Sequence, residues 1–139
     1  MKTCSVSTVI NAKPHQIWPL LADASRWAEW DPSLDKLEGE FCPGGTVKLY
    51  SKISGRSVPV RISHMAEPTH MTWQGGMPLG LLKDERRVTL HPDAWGATEI
   101  RVEEDVTGPM SGMLHVSETS LTHALERFAA GLKRAAEAA

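Results

Sequence analysis

The sequence predicts an α+β domain in which a curved antiparallel sheet of six or seven strands wraps around one long C-terminal helix, with two short helices after the first strand. Three observations lead there. Between residues 3 and 106, apolar and polar residues mostly alternate with a period of two, interrupted by Gly, Pro and Asp turns. From Ser117 to Ala138 there is no proline, and the apolar residues change to helical spacing. Only two brief stretches with a helical pattern separate the first strand from the rest.

Residues 3–10 place Cys4, Val6, Thr8 and Ile10 on one face and Ser5, Ser7 and Val9 on the other, which makes a strand. The next segment has Ile17, Leu20 and Leu21 at helical spacing. Pro14 sits in its first turn, where a missing N–H costs little, and Pro19 keeps it short or bent. A second short helix or turn covers Ala24–Trp30 and ends at Asp31-Pro32. Leu34–Phe41 reads as a strand before the Pro43-Gly44-Gly45 turn, and Thr46–Ile53 alternates Val47, Leu49 and Ile53. After Ser54-Gly55, the residues Val58, Val60 and Ile62 alternate towards Glu67-Pro68, and His64 shares their parity. His70–Gln74 is a short strand before a loop running from Gly75 to Gly80. Leu82–Leu90 and Thr98–Val106 form a hairpin across His91–Ala97. Its parity gathers Asp84, Arg86, Val88 and Leu90 on one face with Thr98, Ile100, Val102 and Glu104.

In the C-terminal third, Leu121, Leu125, Phe128 and Leu132 step by 4, 3 and 4. Extended backwards, the stripe takes in Met113, Leu114 and Ser117, so the helix could begin as early as residue 111. At ~1.5 Å per residue, 22 residues reach roughly 33 Å, enough to cross the whole domain.

Bulk properties set limits. With 139 residues, 41% hydrophobic and 23% charged, the chain suits one globular domain spanning residues 1–139. A net charge of −2 and no basic cluster denser than Arg86-Arg87 or Lys133-Arg134 argue against nucleic-acid binding. Lys2 has no apolar run behind it, and no stretch is long and apolar enough to span a membrane, so a cytoplasmic protein is expected. Cys4 and Cys42 lack CxxC spacing and are expected as free thiols. Five Trp and six Met against two Phe and one Tyr suit a large or irregular apolar surface.

Ordered motifs then carry a resemblance. The opening runs Ile10-x-Ala12-x-Pro14-x-x-Ile17-Trp18-x-x-Leu21-x-Asp23, followed by Trp27-x-x-Trp30-x-Pro32. Later come Gly45 before a strand, Glu67-Pro68 before Met71 and Trp73, Gly96-Ala97-Thr98 in the hairpin, and Leu125-x-x-Phe128-x-x-x-Leu132-Lys133 with Glu137. Together they resemble the polyketide cyclase/dehydrase branch of the START-like (SRPBCC) superfamily over residues 3–137. The resemblance implies the helix-grip fold, an apolar cavity between sheet and C-terminal helix, and a bacterial protein. It does not imply one activity, because the superfamily includes lipid and hormone binders, aromatase/cyclases and proteins of no known activity.

Within that fold the expected ligand-binding residues are Val6, Trp30, Leu49, Val60, Met71, Trp73, Val88, Val102, Met113, Ser117 and Leu121. Met77 joins them from the Gly75–Gly80 loop, whose glycines could let it close over a ligand. Trp18 and Trp27 read instead as plugs at the end of the sheet. Arg86 with Glu104 or Asp84 forms a polar anchor for a ligand carboxylate, phenolate or carbonyl, or else a cross-strand salt bridge outside any cavity. Arg86, Glu104 and His64 are the candidate catalytic groups. No HxH, HExxH or Cys/His cluster, GxSxG, Walker A or GxGxxG occurs, so neither metal nor cofactor is expected.

Three functions remain open. The first is binding of a small hydrophobic molecule by a monomer or homodimer. The second is a cyclase, aromatase or dehydratase whose polar groups polarise a carbonyl or move a proton. The third is a protein-interaction module.

Overall fold

A computed structural model describes residues 2–31, 34–51, 57–109 and 118–138. Seven strands form one antiparallel sheet, in the spatial order β1-β7-β6-β5-β4-β3-β2. They are β1 (Lys2–Ile10), β2 (Leu34–Glu38), β3 (Thr46–Ser51), β4 (Ser57–Ala66), β5 (His70–Met77), β6 (Leu82–Pro92) and β7 (Thr98–Thr107). The helices are α1 (Pro14–Ala22), α2 (Trp27–Trp30) and α3 (Glu118–Ala138), with a 3-10 turn at Ala24–Arg26.

The helix starts follow the sequence. Pro14 opens α1, and the Gln16 side chain accepts a hydrogen bond from the Lys13 backbone N–H at 2.8 Å. Pro19 lies inside α1 without ending it. The far end of α1 is closed by two indoles. Trp27 Nε1 donates to the Leu21 carbonyl at 2.8 Å and Trp30 Nε1 to the Leu20 carbonyl at 3.2 Å. These are carbonyls that a helix C-terminus leaves without intrahelical partners. The α2 turn is thereby fixed against α1 by side chains that also fill the core.

The hairpin register is the one that alternation predicts: Arg86 faces Glu104, Val88 faces Val102 and Leu90 faces Ile100. The β1 alternation also holds, with Cys4 and Ile10 buried and Ser5, Ser7 and Val9 exposed. On α3, the stripe Leu121, Leu125, Phe128 and Leu132 is buried, and each such side chain contributes about 1.5–3 kcal/mol. The helix rests mainly on β1 and also meets α1, α2 and β7. Near its C-terminus, Glu137 accepts from the Asn11 backbone N–H at 2.8 Å and pairs with Lys133 at 3.0 Å, tying α3 to the end of β1.

Beyond β2, which ends at Glu38 instead of reaching Phe41, two strands differ from the alternation-based expectation. In β4 the pairing with β5 shifts between Ile62 and His64, so that Ile62 faces Trp73 and His64 faces Thr72. This bulge inserts one residue and reverses the parity beyond it. His64 is consequently exposed while Met65 packs on the core. The second difference is in β5, which runs through Gly75, Gly76 and Met77 instead of stopping at Gln74. Gly76, at φ 131°, lies so close to the Leu82 backbone that a Cβ would strike its carbonyl.

Candidate functional site

The helix α3 covers the β1 side of the sheet, and a cavity of about 490 Å³ remains against strands β2 to β7 and the α2 turn. That volume is within the ~300–1,000 Å³ usual for small-molecule sites. Its apolar wall is made by Trp27, Leu34, Leu49, Val58, Val60, Trp73 and Leu82, with backbone exposed at Gly75 and Gly76. Asp31, Asp84, Arg86 and Glu104 supply the polar part.

The wall is rigid for a reason visible in the ring contacts. Trp27 is the hub, with ring centroids 5.0 Å from Trp30, 5.4 Å from Phe41, 5.5 Å from Trp73 and 5.6 Å from Phe128. Edge-to-face and offset pairs of this kind add roughly 0.5–1.5 kcal/mol each beyond area burial. Phe128 brings the same cluster to the polar groups, since the Arg86 guanidinium carbon lies 5.2 Å from its ring centroid.

The polar end is built on the β6–β7 pair. Glu104, 4% exposed, accepts from Arg86 Nε at 3.0 Å and Nη2 at 2.9 Å, both on Oε1. Asp84 lies two residues along β6 from Arg86, on the same face. Its Oδ1 is buried with no hydrogen-bond partner. Burial pushes the Asp84 carboxyl up to about 7, and the Glu104 charge pushes the same way; Arg86 opposes the rise, and a hydrogen bond with Glu104 favours the protonated form. A carboxyl group titrating near 7 can hold or release a proton at ordinary pH.

Of the residues expected to bind ligand, Leu49, Val60, Trp73, Arg86 and Glu104 meet at this cavity. Met71, Val88, Val102 and Leu121 are buried in the core instead, where the sheet is packed, and are not among the lining residues. Val6 is half-buried on β1, beneath α3 and beside a separate surface depression. Trp30 is turned towards Leu20 and Phe128, and its neighbour Trp27 takes the wall position expected for it. His64 is placed outside by the bulge. Met113 and Ser117 lie outside the described residues, as does the Met77 side chain, although the Met77 backbone belongs to β5. None of the described α3 residues lines the cavity, whose described lining comes from the sheet and from residues at and just after α2.

Sequence reasoning missed Asp31, Leu34 and Val58, touched Leu82 only as the end of the glycine-rich segment, and offered Asp84 only as an alternative partner of Arg86 in the polar anchor. Leu34 and Leu82 each open a strand, and nothing in a single strand's alternation says which of its inward residues the helix leaves uncovered. Among the described residues no group of three or more His, Cys, Asp or Glu side chains could hold a metal ion, and no helix is long and apolar enough to cross a membrane.

Comparisons with known proteins agree with this architecture. A family model described as "Polyketide cyclase / dehydrase and lipid transport" matches residues 1–137. No curated protein matches the sequence. Among solved structures, a START superfamily protein from Mycobacterium smegmatis superimposes with a TM-score of 0.76 at 19% identity, covering 99% of this chain and 98% of that one. A hypothetical protein from Helicobacter pylori gives 0.80 at 13% identity, with 97% and 88% covered. The di-domain ARO/CYC protein BexL from the BE-7585A biosynthetic pathway gives 0.78 at 11% identity; the match covers 96% of this chain but 46% of that one. At these identities the superpositions speak for the helix-grip fold alone.

Proposed function

This chain belongs to the polyketide cyclase/dehydrase and lipid transport family of the START-like superfamily, and from that premise we propose that it binds a small hydrophobic molecule in the cavity between the sheet and the α2 turn. The observation that carries this reading is the division of the cavity wall. Two indoles and five aliphatic side chains line most of it, and the polar lining is Asp31 and the Asp84-Arg86-Glu104 group. An apolar ligand gains from leaving water along the greasy wall, while one polar anchor fixes its orientation.

A neutral fluorescent probe tests it. N-phenyl-1-naphthylamine should brighten on binding and quench the tryptophans that line the cavity. Val60→Trp, which places a bulky ring on the half-buried wall of β4, should abolish the brightening while the thermal transition stays near that of the wild type. Unchanged probe binding in a folded Val60→Trp protein would count against this cavity as the site.

A second reading is supported by Asp84. A carboxyl poised near 7 beside an Arg-fixed glutamate suits proton transfer to a bound carbonyl, as a cyclase or dehydratase requires. On this reading Asp84, ahead of Glu104, is the acid–base group. Incubation with a poly-β-ketone thioester analogue should then yield cyclised or dehydrated product with wild type and none with Asp84→Asn.

A further inference from the structure

Resting on the hydrophobic-ligand reading above, we infer that the cavity selects apolar molecules that carry a basic nitrogen and discriminates against those that end in a carboxylate. Arg86 sets the charge preference of this site. Its Nε and Nη2 both reach Glu104 Oε1, so the one cation of the polar group is already engaged by a buried carboxylate. A guanidinium tied in this way is a poor receptor for a second anion, because an incoming carboxylate would approach Glu104 and Asp84 as well.

Asp84 supplies the complementary half. The polar group holds two carboxyls against one guanidinium, and the Asp84 Oδ1 atom is enclosed without a hydrogen-bond partner. A buried acceptor in that condition calls for a donor, and a buried carboxylate calls for a positive charge. In the protein alone the deficit is met by a proton, consistent with the carboxyl being raised to about 7. A ligand ammonium that reaches the carboxyl by a turn of the Asp84 side chain towards the cavity meets both needs together, and the proton leaves as it binds. The other charged groups facing Asp84 along the cavity are Glu104 on β7, Arg86 on its own strand, and Asp31 beyond α2, which also lines the wall. The rest of the wall agrees with this choice: the indoles of Trp27 and Trp73 tolerate a cation better than an aliphatic wall would.

Three probes of equal chain length separate charge from greasiness: decylamine, decanol and decanoate, each competing with N-phenyl-1-naphthylamine. At pH 8 decylamine should displace the probe at least about tenfold more effectively than decanoate, the size expected for one partly buried charge pair against one like-charge contact. The advantage should shrink below pH 6, as Asp84 takes up its proton, and disappear in Asp84→Asn. Decanoate equal to or better than decylamine at pH 8 overturns the inference, as does a preference that neither pH nor Asp84→Asn alters. If decanol displaces the probe and decylamine does not, the selectivity is wrong while the cavity reading stands. If neither N-phenyl-1-naphthylamine nor any of the three binds, both fall.

Discussion

Arg86 and Glu104 face one another across the β6–β7 pair, and two guanidinium nitrogens converge on a single carboxylate oxygen at 2.9 and 3.0 Å. Glu104 has almost no solvent contact, so its charge depends on that partner. Arg86→Ala should therefore destabilise the fold by on the order of 3 kcal/mol, since it strands a buried carboxylate. Replacing both members, Arg86→Met with Glu104→Leu, should cost clearly less than Arg86→Ala alone. Urea unfolding of the three proteins measures this. A double variant as unstable as the single one would mean that the pair itself, and not the stranded charge, holds the hairpin.

Asp84 gives stability a pH dependence of definite sign. Its carboxyl is ionised above about 3.8 in the unfolded chain but only above about 7 in the folded one. Between those values the folded protein holds the extra proton, so stability falls as pH rises from 4 to 7 and then levels off. The loss should amount to a few kcal/mol at most, at roughly 1.4 kcal/mol per pKa unit. Asp84→Asn cannot ionise and should lack this decline. Melting curves of both proteins from pH 4.5 to 8.5 provide the comparison, and parallel pH profiles would show that Asp84 contributes nothing to the slope.

The β6–β7 register was legible because the strands alternate without interruption on both sides of a short turn, which fixes Arg86 opposite Glu104. The α3 stripe was legible for the same kind of reason, an unbroken period. Where a period breaks silently, reading fails. Gly75 and Gly76 looked like a loop because glycine weakens strands, yet their lack of a side chain lets β5 run close against the Leu82 backbone. The cavity was legible only in part: Leu49, Val60, Trp73, Arg86 and Glu104 were expected at it and line it, whereas other inward-facing residues do not. Alternation assigns Val88, Val102, Val60 and Leu49 to the inward face alike, but the described part of α3 packs mainly on β1, and of these four only Val60 and Leu49 line the cavity. Which inward residues stay open depends on how α3, α2 and the Trp27 cluster pack together, which is a tertiary matter.

His64 shows the consequence for a candidate catalytic residue. One inserted residue between Ile62 and His64 turns the imidazole outwards. His64→Gln should leave the affinity for N-phenyl-1-naphthylamine and the melting temperature unchanged, within about 0.5 kcal/mol as for other exposed sites. A marked loss of probe binding in this variant would return His64 to the site.

The contact that sets α3 against α2 is made by an absent side chain. Gly131 lies in the middle of α3, where alanine would ordinarily be preferred by about 1 kcal/mol. A Cβ at this position would fall on the Trp30 backbone carbonyl, which is part of α2 and has little freedom to retreat because the Trp30 ring packs on Phe128 at 5.1 Å. Helix propensity and packing thus pull in opposite directions, and packing should win, since forcing atoms into a filled interface costs typically about 1–3 kcal/mol. Gly131→Ala should lower the melting temperature by several degrees and change the tryptophan emission, because Trp30 and its neighbour Trp27 must shift together. Ala130→Gly, one residue away on the exposed side of α3, should cost about 1 kcal/mol through propensity alone and leave the emission as it is. A stabilised Gly131→Ala protein with unaltered emission would show that α3 can slide off Trp30 freely, and with it the wall that Trp27 presents to the cavity would lose its fixed position.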